Sequence, residues 1–242
     1  MKQHAKWILL VSLVLSGALA PMAVSAWDEG YISLTVPVKV SAPLVIEPDL
    51  SVRMLQVIPP GQAAFRISDG VILYQRVKLS VSYLTNLKDL SAEVSGWLPF
   101  GPLTAGAAVE GIWADVPSDG TQRYWSGAGT LFATVWIVPN LLNAAVNLQY
   151  DFYYERLNAG LGVSVSVVPG SLSLVAEAAI SPLGVQAFGW DAGVLIKTNG
   201  HQFLLYVGNG NDIRMRNIMA AVPAPGAVAF GITTRRRIDV FF

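Results

Sequence analysis

From Asn143 to Glu155 the chain reads NAAVNLQYDFYYE. Ala144, Val146, Leu148, Tyr150, Phe152 and Tyr154 form one alternating set, and Asn147, Gln149, Asp151, Tyr153 and Glu155 the other. A period of two places alternate side chains on opposite faces of a β-strand. One face suits hydrocarbon and the other suits water.

The pattern continues downstream. Leu157, Ala159, Leu161, Val163, Val165 and Val167 alternate with Asn158, Gly160, Gly162, Ser164 and Ser166. Upstream, Ile32, Leu34, Val36, Val38 and Val40 alternate with Ser33, Thr35, Pro37 and Lys39, and Val77, Leu79 and Val81 with Arg76, Lys78, Ser80 and Ser82. Segments of about 10 residues with one apolar and one polar face, separated by turn residues, are the signature of a transmembrane β-barrel. Twelve strands are expected: 31–42, 51–67, 71–83, 89–99, 103–114, 127–138, 143–155, 157–168, 171–181, 185–197, 201–209 and 226–242, with ten or fourteen as alternative counts. Pro59-Pro60-Gly61 interrupts the second, because proline cannot donate to a ladder.

Composition agrees with a membrane site. The chain is 53% hydrophobic and 13% charged, whereas soluble domains carry about 25% charged residues. No internal run reaches the roughly 18 continuous apolar residues that a spanning helix needs, so any crossing is made by strands. Lys2 and Lys6, the apolar run Trp7 to Leu15 and the small residues Val24-Ser25-Ala26 read as a secretory signal peptide, residues 1–26, cleaved before Trp27. Residues 27–242 then form a single barrel domain. Without Lys2 and Lys6 the chain keeps 14 basic against 16 acidic residues, which gives no basic surface for nucleic acid. There is no cysteine, so disulfides and thiolate metal sites are excluded.

Turn lengths suggest an orientation, since such barrels have short periplasmic turns and longer outer loops. Ser68-Asp69-Gly70, Phe100-Gly101-Pro102, Pro139 to Leu142, Pro169-Gly170 and Thr198-Asn199-Gly200 are expected as the periplasmic turns, with both termini on that side. Asp115 to Ser126 and Gly210 to Pro225 are the long outer connections. The last strand places Ile238, Val240 and the aromatic terminus Phe242 on one face. That ending resembles the assembly signal of bacterial outer-membrane proteins, which implies a barrel-assembly machinery as a partner beside the lipid bilayer. Gly200-His201-Gln202-Phe203-Leu204, Phe230-Gly231-Ile232 and the terminal Phe are also similar to a family of uncharacterised bacterial membrane-bound β-barrel domains, over about the last fifth of the chain.

If the apolar set faces lipid, Arg76, Lys78, Glu93, Glu110, Asp151, Glu155, Glu177, Asp191, Lys197, Arg235 and Arg237 collect inside. Such a lining either passes small polar solutes, with its charges setting selectivity, or pairs across the interior and plugs it. Eight-stranded barrels are filled by side chains and sixteen-stranded ones hold a channel, so twelve strands leave both open. Arg236 is expected to face lipid close to an interface, where a long side chain snorkels. Trp97 and Phe100 at one end, and Trp113 and Trp125 at the other, are candidates for interfacial aromatic belts.

Catalysis has little support. His201 is the one histidine beyond the signal segment, it follows a turn, and the sequence offers it no partner. No cofactor and no metal is expected. A porin-like channel is the leading expectation. The alternatives are a plugged barrel that docks a partner through the loop holding Arg214, Arg216 and Met219, and a soluble periplasmic β-sandwich or lipocalin-like binder.

Overall fold

The computed structural model describes residues 31, 34, 42–55, 63–85, 89–115, 123–152, 155–181, 188–198, 200–209 and 228–241. The expected signal segment 1–26, most of the two expected long outer connections (116–122 and 210–227) and the terminal Phe242 lie outside them. The described residues form fourteen strands: β1 (Leu44–Ile46), β2 (Asp49–Leu55), β3 (Ala63–Leu73), β4 (Val77–Leu84), β5 (Asp89–Phe100), β6 (Leu103–Asp115), β7 (Arg123–Val138), β8 (Leu142–Asp151), β9 (Arg156–Val168), β10 (Leu172–Ile180), β11 (Phe188–Thr198), β12 (His201–Gly208), β13 (Ala229–Arg236) and β14 (Ile238–Val240).

From β2 to β13 each strand pairs antiparallel with the next, and β13 pairs back with β2, so twelve strands close on themselves. Closure removes every sheet edge, which a bilayer demands because unpaired backbone groups cost several kcal/mol there. The two extra strands extend the seam. β1 continues β2 across Glu47-Pro48 and pairs with β3 and β14, while β14 continues β13 past Arg237. Pro48 has no N–H to give a ladder. Its carbonyl instead accepts from Arg236 N at 3.0 Å, and Glu47 exchanges two backbone bonds with Gly70 at 2.8 and 3.1 Å. The ladder is interrupted, but the phase is kept: Val45, Glu47, Asp49 and Ser51 are all buried on the inner side.

The alternation sets the two faces as its period dictates. On β8, Asn143, Ala145, Asn147, Gln149 and Asp151 are buried, while Val146, Leu148 and Tyr150 are exposed. β9 buries Asn158, Gly160, Gly162, Ser164 and Ser166 and exposes Leu161, Val163, Val165 and Val167. An exposed apolar surface continuous around a closed barrel is far beyond the few hundred Å² that soluble monomers show. Hydrocarbon is the solvent that makes it stable.

The strand count holds, but three boundaries move. Among the described residues the wall begins at Leu44, and Tyr31 and Leu34 are in no strand. Tyr31 and Leu34 lie inside the barrel, each 6% exposed, and the rest of 32–41 is outside the described residues. The expected strand 51–67 is two strands, parted at 56–62. Ser68-Asp69-Gly70 is not a turn but the middle of β3, where Gly70 leaves room for the Lys78 stem: a Cβ there would stand 2.8 Å from Lys78 Cε. The hairpin that splits 71–83 is Tyr74-Gln75-Arg76, with Tyr74 and Gln75 at φ of 49° and 62°. The other expected short turns form at 101–102, 139–141 and 169–171 and, within the described residues, at Gly200. All lie at the end where β1 starts and β14 stops.

Candidate lumen

The inner face is built by the polar phase of each strand, and its charges fall into two sectors. The first surrounds the seam. Glu47 and Asp49 point inward from either side of Pro48, and the bases opposite come from β3, β4, β13 and the residue after it. Lys78 Nζ donates to Glu47 Oε2 at 2.6 Å and Arg237 Nε donates to Glu47 Oε1 at 2.9 Å. Arg235 Nε donates to Asp49 Oδ2 at 3.1 Å, and Arg66 Nη2 lies 3.8 Å from Asp49 Oδ1. Thr233 Oγ1 shares a 2.9 Å bond with Ser51 Oγ, which donates to Asp49 Oδ1 at 2.9 Å. The Glu47 side chain is 0% exposed. A buried carboxylate of this kind needs its counter-ions, because an isolated buried charge is very costly.

The same sector continues around the wall. Glu93 on β5 and Glu110 on β6 are direct cross-strand partners, and Lys78 and Arg66 lie close enough to Glu93 to act on its charge. Five strands further round, Glu177 on β10 faces Asp191 on β11 in the same relation. Lys197 is inward beside Gln202 near the short-turn end. Asp151 is inward at the opposite end, in register with Arg156. Between them β7 to β9 supply amides and hydroxyls, such as Gln149 Nε2 donating to Thr130 Oγ1 at 3.2 Å.

Of the expected lining, Lys78, Glu93, Glu110, Asp151, Glu177, Asp191, Lys197, Arg235 and Arg237 point inward. Arg76 and Glu155 lie outside the strands. Both are exposed turn residues: Arg76 closes the β3–β4 hairpin, and Glu155 has φ of 50° just before β9. Glu47, Asp49, Arg66 and Arg156 line the interior without having been singled out. A usable signal was present, since Asp49, Ser51 and Arg53 alternate with Leu50, Val52 and Met54 in the same code. Glu47-Pro48-Asp49 falls between the expected strands 31–42 and 51–67, which left it out of the alternating pattern.

The aromatic assignments divide. Trp113 and Trp125 are register partners with ring centroids 6.2 Å apart, and Trp125 is exposed. Phe100 is exposed as well. Trp97 is not in a belt: it shares the inward phase of Ser95, is buried, and packs with Ala42, Val45, Ile72, Ala108 and Phe132. His201 is on the outward phase, stacked on Phe203 at 6.2 Å, so it does not reach the lumen. Arg236 pairs with it in register, exposed at the rim. Among the described residues no three of His, Cys, Asp or Glu gather as metal ligands.

No family model matches the chain by sequence, and no curated protein does. Solved structures do. The KdgM porin is similar at a TM-score of 0.60 and 9% identity, over 78% of this chain and 98% of that one. The chain has the fold of a bacterial outer-membrane porin. A KdgM porin in complex with disordered oligogalacturonate gives a TM-score of 0.58 at 8% identity. The NanC porin gives 0.52 at 8% identity, over 81% of this chain and all of that one. At such identity the likeness is one of fold, and lining residues do not carry over.

Proposed function

We propose that this porin-fold chain is a non-catalytic outer-membrane channel that passes small polar solutes or ions. One observation carries the reading: a closed twelve-strand wall turns apolar side chains to lipid and amides, hydroxyls and charges of both signs inward. The short turns and both ends of the wall share one side, which supports periplasmic termini. Insertion through the barrel-assembly machinery follows from the last strand, which must find the first for the seam to close.

The solute differs from what basic residues alone would suggest. Arg235, Arg237, Lys78 and Arg66 already face Glu47 and Asp49. An anionic saccharide would have to displace those carboxylates, so the oligogalacturonate of the KdgM complex is not assigned to this chain.

Single-channel conductance of the refolded protein in a planar bilayer tests the reading. Discrete steps are expected, with cation preference falling in Glu110→Gln and rising in Arg237→Gln. Silence of the folded barrel, both as it stands and with Tyr31 and Leu34 cut to alanine, would overturn it. A second reading, a closed barrel that docks a partner through its outer loops, is favoured by one observation: Tyr31 and Leu34, which belong to no strand, occupy part of the interior.

A further inference from the structure

Much of the inner wall is polar or charged, but besides the cluster around Trp97 a second sector carries an apolar shelf. Val175 on β10, Leu195 on β11 and Leu204 and Tyr206 on β12 are buried together, with Ala145 on β8. A water-filled lumen gains nothing from such a surface. Tyr31 and Leu34 cover it.

The fit has a polar anchor and a shaped floor. Tyr31 Oη donates to Asn143 Oδ1 at 2.6 Å, and Asn143 is itself buried, with Nδ2 donating to Val135 O at 3.3 Å. Gly162 lies beneath. A Cβ there would stand 2.5 Å from Tyr31 Cε1 and 2.8 Å from Leu34 Cδ1, so only glycine admits both side chains. An apolar surface, a bare floor and a hydrogen-bond acceptor for a phenol make up a receptor.

We propose that the β8–β12 wall holds an intramolecular binding site whose ligand is the chain's own Tyr31 and Leu34, and that their seating narrows the lumen. The site is read from its own contacts, and only its effect on transport rests on the channel reading. Neither residue belongs to the hydrogen-bonded wall, so unseating them leaves the barrel closed.

The chain lacks cysteine, which makes a single introduced thiol an unambiguous probe. Val175→Cys is introduced and its labelling by a membrane-impermeant thiosulfonate followed in the folded barrel, with and without Tyr31→Ser and Leu34→Ser. Release of the segment should speed labelling at least tenfold and raise single-channel conductance at least twofold, with heat-modifiable gel migration retained. Gly162→Val, which fills the same volume from below, should do the same with residues 31 and 34 native. It serves alone if the serine variants fail to fold. Unchanged labelling in the folded variants overturns the site. Faster labelling in a barrel that stays silent keeps the site and refutes the channel.

Discussion

Glu47→Gln removes one charge and almost no volume from the seam. Lys78 and Arg237 then face each other across a neutral amide, with side chains 20% and 7% exposed. Breaking a buried ion pair by removing one partner costs about 3–5 kcal/mol, because the remaining charge stays desolvated. Partial exposure of Lys78 moves the expectation to the lower end, ~3 kcal/mol. Urea unfolding of the barrel in lipid vesicles, followed by tryptophan fluorescence, reads this out. With m of about 2 kcal/mol/M, the midpoint should fall by about 1.5 M. Adding Lys78→Met and Arg237→Met removes the stranded charges and should restore most of the loss, as apolar replacement of buried ion sets does elsewhere. A midpoint that moves by less than about 0.3 M at unchanged m, or a triple variant weaker than the single one, would refute the claim that this cluster clasps the seam.

Three further outcomes follow from the same geometry. Gly231→Val drives a side chain into the Tyr206 ring that lies across it, and overpacking of that kind should cost about 1–3 kcal/mol, read as an earlier loss of heat-modifiable migration on warming. Val146→Arg, outward in mid-strand, should destabilise by about 2–4 kcal/mol, against about 0–1 for Trp125→Arg at the strand end; equal costs would mean that the apolar face does not meet lipid by depth. Asp49→Asn should lower the urea midpoint without changing conductance steps, since Asp49 binds bases that remain on the wall; altered ion preference would place it in the permeation path instead.

Reading the fold from sequence worked where each strand carried a single phase. β8 and β9 are legible residue by residue because Asn, Gln, Ser and Gly hold the inner phase and Val, Leu and Ala the outer one, with Ala145 departing. It failed at the N-terminal end for physical reasons. Alternation reports only that a segment separates two environments, which a wall strand is not alone in doing, so the run that holds Tyr31 and Leu34 read as wall. Ser68-Asp69-Gly70 carries turn residues, but Gly70 is there to accommodate Lys78, and a sequence does not distinguish a glycine that bends the chain from one that makes room. The turn Tyr74-Gln75-Arg76 uses left-handed residues other than glycine, which propensity does not flag. Trp97 shows the same limit: its phase was readable, yet proximity to a turn suggested an interface.

What controls passage can be argued from where the hydrogen bonds are. Every strand from β2 to β13 is paired on both sides, so a wall residue moves only if ladder bonds break. Pro43 is already tied to the wall, since its carbonyl accepts from Tyr74 N at 2.8 Å. Tyr31 and Leu34 are held by side-chain contacts, among them the phenol bonds to Asn143 Oδ1 and O and the apolar cluster. A bond to a neutral partner contributes about 1 kcal/mol net, and two covered side chains add a few more. The wall does not offer a second state on that scale, so brief openings, where conductance shows them, should vanish when Tyr31 and Leu34 are removed from the shelf and persist when Glu47 or Asp49 is changed.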